Sequence, residues 1–363
     1  MRAFVNVLEE IIVREVYIQI EELRPEVQPK VKVAEVTAYA LNRLPPLFAT
    51  SITGWKYQYD YALNKLHPQI AQIVKYGIHA VLLGDPLHDI TPLPNHLFLN
   101  NAGVLHQLGQ LLNRKYLRWR DVPILVQEII GKSLCLTQIE DQTILQTEEE
   151  TQIQSISHLN HSNRALLSGS KRFMEKQLAK KKKEALQLEE ERIYAASYAQ
   201  PNGNSWADEK KSRDAIEMEY RALQSYTLQS QLGLINVLEH LIFLAIERFT
   251  TPEIYAQLNL GEVAAYALNH LPPMYATSVR GFRHLRQKAL TEFSRELIGA
   301  VRTGIMKVLQ LSQADLQPIY AYRFMQEYEQ AILLLRTLLK RDDIELHNIL
   351  AIVQDLMVCC EAA

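Results

Sequence analysis

Residues 35–54 read EVTAYALNRLPPLFATSITG, and residues 262–281 repeat them without a gap as EVAAYALNHLPPMYATSVRG. Each copy begins with helix-forming residues. The di-proline then ends the helix, because Pro45 and Pro272 have no amide hydrogen to donate and force the preceding residue towards an extended conformation. The Thr-Ser pair that follows can turn the chain or cap a new helix. Each copy therefore predicts a helix, a rigid extended elbow (residues 45–49 and 272–276) and a hydroxyl-rich turn (residues 50–54 and 277–281).

The repeat extends beyond this stretch in both directions. Residues 5–9 (VNVLE) match residues 235–239 (INVLE), and Gly77 matches Gly304 at the same offset as the two elbows. Weaker matches continue through residues 108–128 and 335–355. Since internal repeats mark related structural units, the sequence predicts two related domains, residues 1–132 and 232–363, separated by an unrelated segment, residues 133–231.

Composition limits the classes of protein that the chain can belong to. A length of 363 residues suffices for two or three domains, and the 48% of hydrophobic residues supports packed cores. The net charge of −2 gives no general attraction to nucleic acid or to an anionic membrane. The three cysteines, Cys135, Cys359 and Cys360, lack metal-binding spacing, so a reduced, cytoplasmic setting is expected. The N-terminus does not read as a signal peptide, and no apolar run is long enough to span a bilayer.

Apolar residues at helical spacing predict five helices in each repeat. They cover residues 4–23, 33–43, 57–83 (at least its second half), 100–119 and 122–130, then 234–249, 262–270, 283–311, 319–340 and 345–358. Pro68 suits the first turn of a helix, whereas Arg295 stands at the matching place, so the third helix of the second repeat is expected to run unbroken. Asn42 and Asn269 are expected to cap the second helix of their repeats, and Phe48 and Tyr275 are expected in the core.

The segment between the repeats is polar and charged. Residues 138–161 are rich in Thr, Gln and Ser, and residues 171–194 and 209–228 are predicted helices on either side of a break at residues 198–208. The two helices are compatible with an antiparallel hairpin, and with a solvated linker helix as the simpler alternative. The four lysines at residues 180–183 could contact phosphate, but four glutamates follow within residues 184–191 and disfavour a nucleic-acid partner.

The sequence shows no catalytic constellation. It contains no hydrolase elbow, phosphate-binding glycine loop, dinucleotide fingerprint or zinc spacing. Ser51 and Ser278 have no repeated histidine or acid that would turn them into nucleophiles. A binding role is therefore expected in place of catalysis, and the chain is predicted not to be an enzyme.

The pattern Ala-Leu-Asn-x-Leu-Pro-Pro-x-(Phe/Tyr)-x-Thr, followed within a few residues by Gly, resembles the bacterial late-competence family called ComFB. So does the preceding helix, in which Asn6 or Asn236 comes before Val-Leu-Glu. The resemblance covers residues 4–83 and 234–311. It implies a mostly α protein of two related helical ComFB-like domains joined by a long helical, charged insert. It also implies a role without catalysis, since some members of the family resemble cytoplasmic receptors for cyclic di-GMP or cyclic di-AMP.

The chain departs from the family pattern in two respects. Many members carry a Cys-x-x-Cys pair before the second helix, but the corresponding residues 28–33 and 257–261 contain no cysteine. The resemblance therefore implies neither a metal nor another cofactor. The duplication and the long insert are also atypical of a single-domain family.

A cyclic dinucleotide presents two phosphates and two purines, and the residues around the elbows suit both. Hydroxyls and amides at a helix start suit phosphate, arginine suits guanine, and aromatic rings stack on bases. The candidate ligand-binding residues are Arg43, Thr50, Ser51, Gly54, Lys56, Tyr57, Thr277, Ser278, Arg280, Gly281, Arg283 and Arg286. Trp55 and Phe282 are either base-stacking or core residues. Because the second repeat has more arginines, it is expected to dominate binding.

The sequence thus leads to a cytoplasmic receptor for a cyclic dinucleotide that passes the signal to a protein partner. Cyclic di-GMP is favoured over cyclic di-AMP because of the arginines. A protein-interaction scaffold without a nucleotide ligand is the alternative. Since the ligand has a two-fold axis, two like surfaces should meet it, so either a homodimer or a pairing of the two repeats within one chain is expected, and no membrane is involved.

Overall fold

The computed structural model describes the backbone of residues 4–84, 91–131, 206–310 and 317–361, and the side chains of these residues except 206–216 and 359–361. Of these, the residues up to Ile130 and from Arg221 onward form one compact unit. The predictions for residues 138–161, 171–194 and most of the break at 198–208 lie outside the described residues. So do the lysine run and Cys135.

The first repeat is helical apart from one short strand pair. Its elements are β1 (Val5–Asn6), α1 (Val7–Glu21), α2 (Val33–Leu41), β2 (Phe48–Ala49), α3 (Ile52–Tyr61), a π-helical turn (Ala62–Leu66) and α4 (His67–Leu83). Two further helices follow, α5 (Asn101–Leu111) and α6 (residues 122–131). Short 3-10 helices cover Gln28–Lys30, Asn95–Phe98 and Trp119–Asp121.

The second repeat has the same order of strands and helices except for one additional short helix, Pro252–Gln257, and it is preceded by a long helix, α7 (Trp206–Leu232). Its elements are β3 (Ile235–Asn236), α8 (Val237–Phe249), α9 (Pro252–Gln257), α10 (Leu260–Asn269), β4 (Tyr275–Ala276), α11 (Val279–Glu292), α12 (Ser294–Gln310), α13 (Tyr320–Leu339) and α14 (Ile349–Glu361). The prediction of a mostly α fold with two repeated domains is confirmed.

Two helix predictions need correction. The third helix of the second repeat does not run unbroken, because the chain leaves helical geometry at Phe293 (φ −118°, ψ 14°), where the ring packs partly buried against the core. In the first repeat the same place is bridged by the π-helical turn, and Pro68 lies in the first turn of α4 as predicted. The helix predicted over residues 100–119 ends at Leu111, because Asn113 adopts a left-handed conformation (φ 54°).

Each elbow forms a short antiparallel strand pair with the residues that precede the first helix of its own repeat. Val5 pairs with Ala49, and Ile235 pairs with Ala276. The aromatic residues of these strands, however, are buried in the opposite repeat. Phe48 belongs to the hydrophobic core built by α8, α10 and α12, whereas Tyr275 belongs to the core built by α1, α2 and α4. The two repeats therefore pair within one chain and exchange their elbow aromatics.

A third hydrophobic core lies beside the paired repeats. It combines α5 and α6 with α13 and α14, and Leu223 and Tyr226 of α7 pack into it. Matched residues of the two repeats, Leu108 and Leu335 among them, are buried together there. The fully buried Arg118 donates its Nε to Glu327 Oε2 over 3.1 Å, so the charge is paired, as burial requires.

Candidate functional site

Two equivalent asparagines hold the two elbows in the same way. Asn42 Oδ1 accepts the backbone N–H of Tyr275 at 2.6 Å, and Asn42 Nδ2 donates to the carbonyl of Tyr275 at 2.9 Å. Reciprocally, Asn269 Oδ1 accepts from Phe48 N at 2.8 Å, and Asn269 Nδ2 donates to Phe48 O at 2.9 Å. Asn42 caps the C-terminus of α2 as expected, through its backbone N–H, whereas Asn269 is the last residue of α10 and His270 takes the cap position. The side-chain amides of both asparagines join the repeats.

A buried polar network lies between the two first helices. The hydroxyl of Tyr275 donates to Glu9 Oε1 at 2.8 Å and accepts from Asn6 Nδ2 at 2.9 Å. Gln229 of α7 donates to Glu9 at 2.8 Å and also lies 3.3 Å from Oε1 of Glu239, the residue of the second repeat that matches Glu9. The network fixes α7 to both repeats, and it involves a glutamine that the sequence pattern did not single out.

The Thr-Ser turn of the first repeat is engaged by its own helix and by the tail of the second repeat. Ser51 Oγ accepts from Gly54 N at 3.1 Å and caps α3. The backbone N–H of Ile52 donates to Gln317 O at 3.0 Å, and Ile319 N donates to the carbonyl of Thr50 at 3.2 Å. The hydroxyl and the first amide that were predicted to bind phosphate therefore have protein partners.

The turn of the second repeat is engaged in the same way. Ser278 Oγ accepts from Gly281 N at 3.2 Å and caps α11, while Val279 N donates to Thr91 O at 3.2 Å. Pro92 forms a bridge with Ser278 that corresponds to the one between Pro318 and Ser51. Thr277 is half-buried beside this bridge. Each repeat thus covers the turn of the other, the first with the segment that follows α4 and the second with the segment that follows α12.

The predicted basic residues of the first repeat, Arg43 and Lys56, are exposed and line no common pocket among the described residues. The guanidinium of Arg43 lies 3.4 Å from the centre of the Tyr39 ring, and its Nη1 donates to the carbonyl of Tyr39 at 3.0 Å. Lys56 is exposed, and Tyr57 is 75% exposed. Trp55 is half-buried and stacks on Tyr59 with ring centres 4.8 Å apart.

The second repeat brings two of its three predicted arginines, Arg283 and Arg286, to a groove. We call it the α11 groove; it has a volume of about 640 Å³ and is lined by Pro94, His96, Leu97, Val279, Phe282, Arg283, Arg286, Gln287, Leu290 and Thr291. Arg280, Arg283 and Arg286 are all exposed, and their spacing of three residues places them along one side of α11. Phe282 is half-buried, so its ring both packs on the core and lines the groove.

The matching groove of the first repeat holds α7. The Nη2 of Arg221 donates to Glu10 Oε1 at 2.8 Å and lies 3.4 Å from the hydroxyl of Tyr59. Its hydrogen bond with Glu10 raises the pKa of the Arg221 guanidinium above the ordinary value. Tyr226 packs against Phe324 with ring centres 5.3 Å apart. The two repeats therefore differ at this place: α7 packs against the first, whereas no described residue fills the groove of the second.

Within the described parts of the chain, no group of three or more histidine, cysteine, aspartate or glutamate side chains could hold a metal ion. Nor does any described helix combine the length and the apolar character needed to cross a membrane.

One family model matches both repeats. The family model described as "Late competence development protein ComFB" matches residues 5–83 and again residues 235–311. These matches cover the two strand pairs, the elbows and the helices up to α4 and α12. No curated protein matches the chain.

Proposed function

With residues 5–83 and 235–311 as two ComFB domains, we propose that the chain is a cytoplasmic receptor for a cyclic dinucleotide. Cyclic di-GMP is preferred over cyclic di-AMP, and the signal passes to a protein partner without catalysis. The observation that carries this proposal is the α11 groove, into which α11 presents Arg283 and Arg286 beside an aromatic ring. Its volume of about 640 Å³ lies within the range of small-molecule sites, roughly 300–1,000 Å³.

The charge of the groove supports an anionic ligand. Arg280, Arg283 and Arg286 are all exposed, and none of them forms an ion pair with another described residue, so their guanidinium groups are available. Guanidinium binds phosphate and the O6 and N7 edge of guanine through paired hydrogen bonds. Adenine lacks the O6 acceptor, and this is the chemical reason for preferring cyclic di-GMP.

The engaged turns change how such a ligand would be held. Ser51 and Ser278 cap their own helices. The amides of Ile52 and Val279 donate to carbonyl groups of the opposite repeat. Other side chains must therefore bind the ligand. Exposed guanidinium groups and the Phe282 ring supply those contacts in the α11 groove. Arg43, Lys56 and Tyr57 lie apart from it.

Titration calorimetry against both cyclic dinucleotides, at one fixed salt concentration, tests the proposal. We expect cyclic di-GMP to bind more tightly than cyclic di-AMP and to be recovered intact by chromatography. Arg283→Ala should cost about 1–3 kcal/mol of affinity, the value of a lost bidentate contact, and Arg280→Ala less than that. Lys56→Ala is the matched control, because it removes one exposed cation from the corresponding position of the first repeat.

The alternative is an interaction scaffold without a nucleotide ligand. The occupied turns favour it, because the hydrogen bonds of the elbows are satisfied by the fold itself. Absence of heat with either nucleotide at high micromolar concentration, with the protein folded, would support the scaffold. Equal losses of affinity from Lys56→Ala and Arg283→Ala would contradict the assignment of the ligand to the α11 groove.

A further inference from the structure

The occupied groove of the first repeat shows what kind of element this surface accepts. The α7 helix packs there across α3 and the start of α13, because Arg221 reaches Tyr59 of α3 and Tyr226 contacts Phe324 of α13. Arg221 of α7 is held by Glu10 and Tyr59 at 2.8 Å and 3.4 Å, and Tyr226 stacks at an angle on Phe324. One charged contact at the rim and apolar side chains below it therefore hold a helix against a ComFB repeat.

The α11 groove has the same walls in the second repeat. Pro92 bridges Ser278 as Pro318 bridges Ser51, so the segment from Pro92 onward takes the place that the start of α13 has in the first repeat. Leu97, Phe282 and Leu290 give the groove an apolar floor. The side chain of Leu290 is 49% exposed, so this apolar surface is open to a partner.

The charges at the rim are reversed between the two grooves. By the repeat alignment, Glu10 corresponds to His240 and Tyr59 corresponds to Arg286. Both His240 and Arg286 are exposed. In the α11 groove, an arginine placed as Arg221 is in the first repeat would be repelled by the guanidinium of Arg286. A carboxylate at the same place would be attracted to Arg286 and could also accept a hydrogen bond from the imidazole of His240.

We propose that the α11 groove docks an amphipathic helix of a protein partner that resembles α7 but carries an acidic residue in place of Arg221. Apolar residues of that helix, equivalent to Leu223 and Tyr226, fill the groove over Leu97, Phe282 and Leu290. The acidic residue pairs with Arg286. Helix-in-groove recognition of this kind reads the residues of one helix face as anchors.

This inference deepens the proposed function by naming the partner chemistry of the same groove. Docking itself needs only the groove and stands without a nucleotide. The regulatory consequence rests on the proposed function: a cyclic dinucleotide held by Arg283 and Arg286 would occupy the helix site, so ligand and partner would compete.

A labelled synthetic peptide of residues 217–232 that carries Arg221→Glu tests the docking on the full chain by fluorescence anisotropy. The native peptide, with arginine at that position, is the matched control. We expect the Glu peptide to bind at least about tenfold more tightly than the native peptide, a difference of ~1.4 kcal/mol. A Glu peptide in which the equivalents of Leu223 and Tyr226 are alanine should lose its binding.

A charge reversal in the protein tests the geometry. Arg286→Glu should weaken the binding of the Glu peptide and strengthen the binding of the native peptide. Lys56→Glu in the first repeat should change the binding of neither. No binding of the Glu peptide, or binding that Arg286→Glu leaves unchanged, overturns the proposal. If the Glu peptide binds and cyclic di-GMP displaces it, docking and the shared site are both supported. If the peptide binds and cyclic di-GMP does not displace it, docking stands and the nucleotide site is contradicted instead.

Discussion

Removal of one hydroxyl group should expose how strongly the two repeats depend on their pairing. Tyr275 is 2% exposed, and its hydroxyl lies in the core of the first repeat between Glu9 and Asn6. Tyr275→Phe keeps the ring and deletes both hydrogen bonds. Asn6 Nδ2 then loses its acceptor in a residue that is 1% exposed, while Glu9 retains the hydrogen bond from Gln229.

The size of the effect follows from these contacts. A buried donor that is left without an acceptor costs about 1–3 kcal/mol, and a hydrogen bond to a charged group contributes a similar amount. We therefore expect Tyr275→Phe to lower the free energy of unfolding by about 2 kcal/mol. The chain contains an internal comparison, because the residue of the first repeat that matches Tyr275 is Phe48, which has no hydroxyl. The Nδ2 of Asn236, which matches Asn6, has no hydrogen-bond partner among the described residues.

Urea unfolding followed by circular dichroism measures the difference. Tyr57→Phe is the matched control, because Tyr57 is 75% exposed and a surface change of this kind should stay within ~0.5 kcal/mol. The reasoning is refuted if Tyr275→Phe unfolds at the same urea concentration as Tyr57→Phe, with equal slopes, since the buried hydroxyl would then contribute nothing to the pairing.

Other substitutions test the same fold. Asn42→Ala and Asn269→Ala should each cost about 2 kcal/mol in urea unfolding and should do so alike, because each amide bonds the opposite elbow twice; a twofold difference between them would contradict the symmetry. Gly304→Ala should destabilise, since a Cβ there would lie 3.2 Å from the carbonyl oxygen of Val263, whereas Gly299→Ala meets nothing within 4 Å and should stabilise α12 by up to ~1 kcal/mol. Ser278→Ala should cost about 1 kcal/mol through the lost cap of α11, and an unchanged thermal midpoint would count against that role.

Much of the fold follows from local sequence signals. The di-prolines, the Thr-Ser turns and Pro68 act on the backbone within a few residues, so helix, elbow and cap could be read directly. The break at Phe293 could not, because no proline or glycine marks it in the sequence, and the ring packs against a core formed by distant segments. The end of α5 was missed for a local reason, since an asparagine in a left-handed conformation is hard to distinguish from one inside a helix.

The pairing of the repeats shows where sequence reasoning ends. A repeated asparagine at the end of a helix is typical of a cap, and the sequence alone does not reveal that Asn42 reaches the backbone of Tyr275, 233 residues away. The burial of Phe48 and Tyr275 was predictable from their type, but the exchange between cores was not. Arg221 was missed as a groove residue because it lies in a polar helix without a repeat partner.

Stoichiometry of cyclic di-GMP binding tests the central claim most directly. The α7 helix packs at the first groove, and no described residue fills the α11 groove, so calorimetry on the full chain should give one equivalent per chain. Arg283→Ala should lower the affinity for cyclic di-GMP by about 1–3 kcal/mol. Lys56→Ala should leave the affinity unchanged. Two equivalents per chain, or one equivalent that Arg283→Ala leaves untouched, would contradict a single nucleotide site in the α11 groove.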